Sequence, residues 1–172
     1  MIRAGTLLAP LALLAPLALL ASLTGCGLQP LYAGGGNGAL AQGLAAVQVA
    51  SIEGRGGWLV RAALQDRLAQ RGSGATPRYR LDVLLDDKLE ALGLTTDETI
   101  GRETRTLRAR YQLVDLADGK ILVDATAGSD AGIDVVSSDY ATVAAENTAL
   151  ENLAGVVADR IVARVALTLR AS

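Results

Sequence analysis

The 172-residue chain has no histidine, one cysteine (Cys26), one tryptophan and only 3% aromatic side chains. These absences exclude Ser-His-Asp and Cys-His catalysis, histidine metal sites and any intrachain disulfide. Charge of one sign is lacking too, because 16 basic residues face 18 acidic ones for a net charge of −2. That balance does not support a nucleic-acid partner. With 51% apolar and 20% charged side chains, the composition fits one globular domain.

Charged residues are also missing from Ala4 to Leu23, a Leu- and Ala-rich run that follows the single positive side chain Arg3. This reads as a secretion signal. The run approaches the ~20 residues of a membrane span, so a retained anchor is the competing reading on length alone. Its ending separates the two. Leu23-Thr24-Gly25-Cys26 resembles the bacterial lipobox, in which small residues precede a cysteine that receives lipid on its thiol before cleavage on its amino side. Residues 1–25 are therefore expected to be a lipoprotein signal peptide, with Cys26 as the lipidation site. The resemblance implies several acyl chains, which anchor stably where one chain would only dwell briefly. Gly27, rather than Asp, follows the cysteine. By resemblance to the enterobacterial sorting rule, this favours the outer membrane.

Removing 25 of the 172 residues leaves 147, and only Arg3 leaves among the charges, so 15 basic against 18 acidic side chains give −3. A domain of this size buries roughly 68–70% of its unfolded surface and needs no disulfide or metal to be stable. The absence of a spare thiol suits an oxidising periplasm.

Residues 26–46 are expected to be a flexible tether, because Gly34-Gly35-Gly36-Asn37-Gly38 and the small residues after it leave the backbone unrestricted. A phosphate-cradling loop is the alternative, but no strand precedes it. Residues 47–172 are expected to form a single domain. Val47 to Ile52 is a β-branched run bounded by Gly54-Arg55-Gly56-Gly57, as for a first strand. From Trp58 the period changes: Val60, Leu64 and Leu68 fall on one side of an amphipathic helix, and Gly72 supplies its stop. Trp58 is expected to pack at the core or helix entry rather than serve as a ligand platform.

From Tyr79 the period falls to two, with Tyr79, Leu81, Val83 and Leu85 opposite Arg80, Asp82, Asp86 and Lys88. A second strand runs from Arg105 to Leu116, where Leu107, Ala109, Tyr111 and Leu113 alternate with Thr106, Arg108, Arg110 and Gln112. Asp118-Gly119 turns the chain into a partner strand, Ile121 to Ala127. Gly128 to Ser138 reads as loop. A terminal helix follows, capped by Ser138 or Asp139 and striped by Leu150, Leu153, Val157, Ile161 and Val165. The expected fold is α+β, with two helices on a mixed, largely antiparallel four-stranded sheet in the order β-α-β-β-β-α.

Few residues suggest chemistry. Asp86 and Asp87 are adjacent on a strand and face opposite ways, so with Glu90 they read as solvated surface. Asp115, Asp118 and Asp124 surround a turn without the ligand spacing of a calcium loop, and no metal or other cofactor is expected. The basic cluster Arg102, Arg105, Arg108 and Arg110 is more informative. Arg108 and Arg110 share one strand's polar face, and Lys88 can join them from its neighbour. Guanidinium groups grip phosphate with paired hydrogen bonds, so this face could hold a phosphorylated glycolipid. Pairing with Asp82 and Asp86 as ordinary surface is the alternative.

The chain resembles the LPS-assembly lipoprotein family LptE, especially its alphaproteobacterial members. Cys26-Gly27-Leu28-Gln29-Pro30-Leu31-Tyr32 is similar to the family's opening, with Leu28 in place of the usual Phe. Ser138-Asp139-Tyr140-Ala141 and Ala144-Ala145-Glu146 match its terminal helix, and the order of elements agrees. The resemblance implies a two-helix, mixed-sheet domain at the periplasmic face of the outer membrane, held in the lipid by acylated Cys26. There it would plug the β-barrel translocon LptD, support its assembly and contact lipopolysaccharide. It implies a partner rather than an enzyme. Lys88, Arg108 and Arg110 as lipopolysaccharide contacts rest on strand alternation alone. Two other classes share the size and tether: the auxiliary lipoprotein of an ABC-type envelope transporter, and a tethered envelope enzyme working through carboxylates.

Overall fold

A computed structural model describes residues 38–69, 76–92 and 101–171. All of them belong to the second of the chain's two units, residues 34–172. The expected signal peptide, Cys26, the first part of the tether and the Gly72 helix stop lie outside the described residues.

Seven elements follow in order: α1 (Ala39–Ala45), β1 (Val47–Val49), α2 (Gly54–Ala69), β2 (Tyr79–Ala91), β3 (Arg102–Asp115), β4 (Ile121–Asp134) and α3 (Asp139–Ala171). The sheet runs β1-β2-β3-β4, with β1 parallel to β2 and the other pairs antiparallel. This is the expected α+β fold with a third helix added. That helix corrects the tether, which was expected to stay flexible to Ala46. Ala41 and Leu44 of α1 are buried, and the helix packs near the end of α3, where Gly43 meets the Leu169 side chain. Small residues stay helical here because an apolar partner covers them, which composition alone does not reveal.

The helix α2 begins at Gly54, four residues before the expected start at Trp58. Gly54 takes a positive φ of 78°, and Gly57 packs so closely that a Cβ would lie 2.7 Å from the Ile52 carbonyl. Gly56 and Gly57 are thus both inward in the first turn, followed by buried Val60, Leu64 and Leu68. Trp58, one position further round the helix, is 66% exposed. The expectation that it packs at the core or helix entry is overturned.

The strand periods hold on β3, where Leu107, Ala109, Tyr111 and Leu113 are all buried. They hold less completely on β2, where Tyr79 and Leu81 are buried but Val83 and Leu85 are half-buried. β4 runs to Asp134, through the expected loop after Ala127. Pairing with β3 extends it. Gly128 sits opposite Arg108, where an added Cβ would lie 3.0 Å from Arg108 Cγ.

At the hairpin, Gly119 has φ 73°, and the Asp115 and Asp118 carboxylates accept the Ala117 and Lys120 N–H groups, each at 2.9 Å. Both carboxylates thus shape the turn. The 33-residue α3 spans about 50 Å at 1.5 Å per residue. Ser138 caps it by accepting the Ala141 N–H at 3.4 Å. Leu150, Leu153, Val157, Ile161 and Val165 are all buried against the sheet and α2.

The helices α2 and α3 run parallel. Arg55 donates to Asn147 at 2.7 Å and, further along, Arg67 donates to Asp159, both pairs 92 residues apart. Arg67 also reaches the Gly155 carbonyl at 3.2 Å and the Ala63 carbonyl at 3.0 Å. The Arg67 hydrogen bonds hold the Asp159 carboxyl below the usual carboxylate range.

Candidate functional site

All described helices pack on one face of the sheet, leaving the even-numbered residues of β2 and β3 on the other. Register fixes which of them meet. Asp82 lies opposite Gln112 and then Asp124; Leu84 opposite Arg110 and Thr126; Asp86 opposite Arg108 and Gly128; Lys88 opposite Thr106 and Asp130. The three sequence-predicted cations Lys88, Arg108 and Arg110 therefore do share one open face. Their electrostatic states differ.

Arg110 is paired. Its Nη2 donates to Asp124 at 3.1 Å and its Nε at 3.3 Å, while Gln112 donates to the same carboxylate at 2.9 Å. The Arg110 and Gln112 hydrogen bonds hold the Asp124 carboxyl below its usual range. Lys88 is neutralised within its own strand by Asp86 at 3.3 Å, and Arg80 by Asp82 at 3.0 Å. Arg102 meets Asp134 at 3.1 Å. Arg108 alone of the β3 arginines has no carboxylate partner among the described residues. Asp86, directly across the register from it, is engaged by Lys88. The surface is thus a lattice of alternating charge with one unmatched guanidinium, rather than a uniformly basic patch.

Arg105, the fourth arginine of the sequence cluster, is not on this face. It points to the helix side, where it donates to Asp87 at 2.7 and 2.8 Å and to the Glu146 carbonyl at 3.2 Å. Its side chain is only 16% exposed. The competing expectation, that the face cations pair across strands with Asp82 and Asp86, is met neither by Arg108 nor by Arg110. Sequence reasoning missed Asp124, whose role follows only from the register.

A groove of about 300 Å³ runs along the open face between Asp82, Val83, Leu84, Arg110 and Gln112. Leu84 is 74% exposed there, so apolar and ionic groups meet at its wall. A cavity of about 410 Å³ lies near the same end of β2 and β3, among α1, Arg78, Tyr79, Asp115 and Leu169. Its two charged groups face each other at 3.6 Å. Among the described residues no group of three or more Cys, Asp or Glu side chains converges as a metal site. No described helix is long and apolar enough to cross a membrane.

Comparison with known proteins agrees with this architecture. A candidate lipoprotein of Caulobacter crescentus, solved by crystallography, superposes with a TM-score of 0.65 at 25% identity, over 78% of this chain and 97% of its own. Rare lipoprotein B of Shewanella oneidensis matches with a TM-score of 0.55 at 14% identity, over 71% and 94% of the two chains. A lipoprotein B of Nitrosomonas europaea gives 0.54 at 12% identity, over 74% and 89%. No curated protein matches the chain. Residues 44–165 match the family model of LptE, lipopolysaccharide-assembly. The match opens at the buried Leu44 of α1 and closes at the buried Val165 of α3, so it takes in all four strands and most of the helical layer. The chain belongs to the LptE family of lipopolysaccharide-assembly lipoproteins, which are not enzymes.

Proposed function

We propose that the protein is an outer-membrane lipoprotein, fastened at the periplasmic face by acyl chains on Cys26, that plugs the LptD barrel, supports its assembly and assists lipopolysaccharide insertion. One observation carries this reading: a broad sheet face left uncovered by the helices, polar along its strands, with an unmatched cation at Arg108. Polar surface is compatible with the wet lumen of a large barrel. A lattice of matched charges adds no net field that would repel the lining. The LptE family match and the lipobox-like sequence at Cys26 support the same assignment.

Within the face, the three predicted cations are expected to contribute unequally to glycolipid phosphate binding. Arg108 leads, because a phosphate need not displace a carboxylate from it. Arg110 must release Asp124 and Lys88 must release Asp86, so each gives less. The test is co-purification of the full chain with the barrel, followed by lipopolysaccharide binding at low salt. Arg108→Glu with Arg110→Glu should weaken lipopolysaccharide binding at least tenfold while the circular dichroism spectrum stays unchanged. Equal binding by the variant and the parent rejects the face as the lipid contact. Failure to co-elute with the barrel, with barrel assembly unchanged on depletion, rejects the plug assignment.

A further inference from the structure

Beyond its short pairing with β1, the outer edge of β2 is open, as is that of β4 at the other side of the sheet. β1 pairs only with Tyr79–Leu81, and the Ala50 N–H closes that short ladder on the Leu81 carbonyl at 3.0 Å. At the far end, the Leu92 N–H donates to the Arg102 carbonyl at 2.8 Å. In an antiparallel pair, residues alternate between bonding the neighbour and facing away from it. The two bonds agree on parity. Even-numbered residues of β2 bond β3, and odd-numbered ones present N–H and C=O outward. Beyond Leu81, the outward groups of Val83, Leu85, Asp87, Leu89 and Ala91 have no partner among the described residues. Val83 and Leu85 are only half-buried beside this edge, and Leu89 is 43% exposed.

We infer that this edge pairs with the same edge of a second copy of the chain, antiparallel about a two-fold axis at Asp87. The register follows from charge and from space. Centring on Asp87 sets Asp86 against Lys88 of the second copy, twice by symmetry. It also sets Leu85 against Leu89 and Val83 against Ala91. Moving the axis one residue earlier puts Asp86 against Asp86 and Asp82 against Glu90. Moving it one residue later puts Lys88 against Lys88 and Asp86 against Glu90. Like charges directly opposite disfavour both. Moving it two residues earlier drives the second copy into β1, which already holds Leu81. Only the Asp87 register uses the whole free edge, Val83 to Ala91, without a like-charge pair on the open face. The two Asp87 side chains that meet at the axis are each already neutralised by two Arg105 hydrogen bonds, at 2.7 and 2.8 Å. Such a dimer removes an edge that would otherwise template aggregation. It does not depend on the barrel assignment.

The test uses the full chain in detergent. Asp86→Cys and Lys88→Cys chains, differently tagged, are mixed and oxidised. Directly opposite residues of a pair that does not share hydrogen bonds sit about 4.5 Å apart at Cα, within disulfide reach. A mixed disulfide dimer at least tenfold above either variant alone, and above a mixture carrying Thr106→Cys in place of Lys88→Cys, is expected. Each variant oxidised alone, with the same native Cys26, sets the background. Lys88→Glu should weaken self-association roughly tenfold in sedimentation, and adding Asp86→Lys to it should restore the dimer. Leu89→Pro removes an outward N–H but no β3 bond, so it should leave the circular dichroism unchanged and yield a monomer. A chain that sediments as a monomer at all concentrations, or a dimer with no excess of mixed disulfide, overturns the proposal. A dimer that survives Leu89→Pro overturns it equally.

Discussion

The two faces of the sheet are made from the same strands, yet one is dry and the other ionic. Along β3, Leu107, Ala109, Tyr111 and Leu113 are buried beneath α2 and α3, while Thr106, Arg108, Arg110 and Gln112 alternate with them toward the open side. Burial pushes the Tyr111 phenol up on the covered side. On the open side, hydrogen bonds from Arg110 and Gln112 pull the Asp124 carboxyl down. One face therefore supplies stability by excluding water, and the other keeps charges hydrated and matched. The docking role proposed above needs both. The apolar face fixes the strands, so that the polar face can be presented as a rigid pattern.

The largest effect that would break this division is a truncation repeated on each face. Leu107 is fully buried, so Leu107→Ala should destabilise by about 3 kcal/mol, combining lost transfer energy with a cavity. Leu84 is 74% exposed on the neighbouring strand, so Leu84→Ala should change stability by less than about 0.5 kcal/mol. Urea unfolding of both variants checks the contrast. Similar losses for the two would mean that the open face is packed against something, and the functional surface would have to be sought elsewhere.

Much of this division was legible in the sequence, because a period of two on β3 and the buried stripe on α3 are direct consequences of which side chains must avoid water. The register was less so. A two-residue turn at Asp118-Gly119 would place Ala127 across from Arg110. The longer loop and the irregularity at Leu113/Val114 instead set Thr126 there and bring Asp124 opposite Gln112. That one-residue difference turns Asp124 toward Arg110. The extension of β4 through Gly128 and the helix α1 were hidden for a related reason. Both rest on partners distant in sequence, Arg108 for Gly128 and Leu169 for Gly43. Trp58 misled because the inward positions of its turn belong to Gly56 and Gly57, residues that carry no apolar signal.

A middle-sized effect sharpens the covered side. The Arg67 clamp joins two parallel helices, and Asp159 is 67% exposed, so screening by water keeps its share small. Asp159→Asn should cost about 0.5–1 kcal/mol at neutral pH. The folded-state pKa of Asp159 is lowered. Its contribution is therefore fully present above the ordinary carboxylate pKa and is lost as pH falls through the lower folded value. Parent and variant should converge in acid. A difference that persists unchanged at low pH would assign the effect to packing instead of charge.

The smallest effect is the most specific to the open side. Arg110→Gln should leave the unfolding midpoint where it is, because both members of its ion pair are solvent-exposed. It should nonetheless raise the Asp124 pKa toward the ordinary carboxylate value, since the Arg110 hydrogen bond is the first cause of its depression and Gln112 only the second. Carboxyl carbon shifts followed by NMR titration read this directly. The same titration on Arg108→Gln should leave Asp124 unchanged, because the hydrogen bonds that lower that carboxyl come from Arg110 and Gln112. An equal rise in both variants would show the face to behave as one pooled field, and Arg108 would lose its distinction as the cation open to phosphate. A rise in Arg110→Gln alone would leave Arg108 electrostatically separate, as an anion-binding role on this face requires.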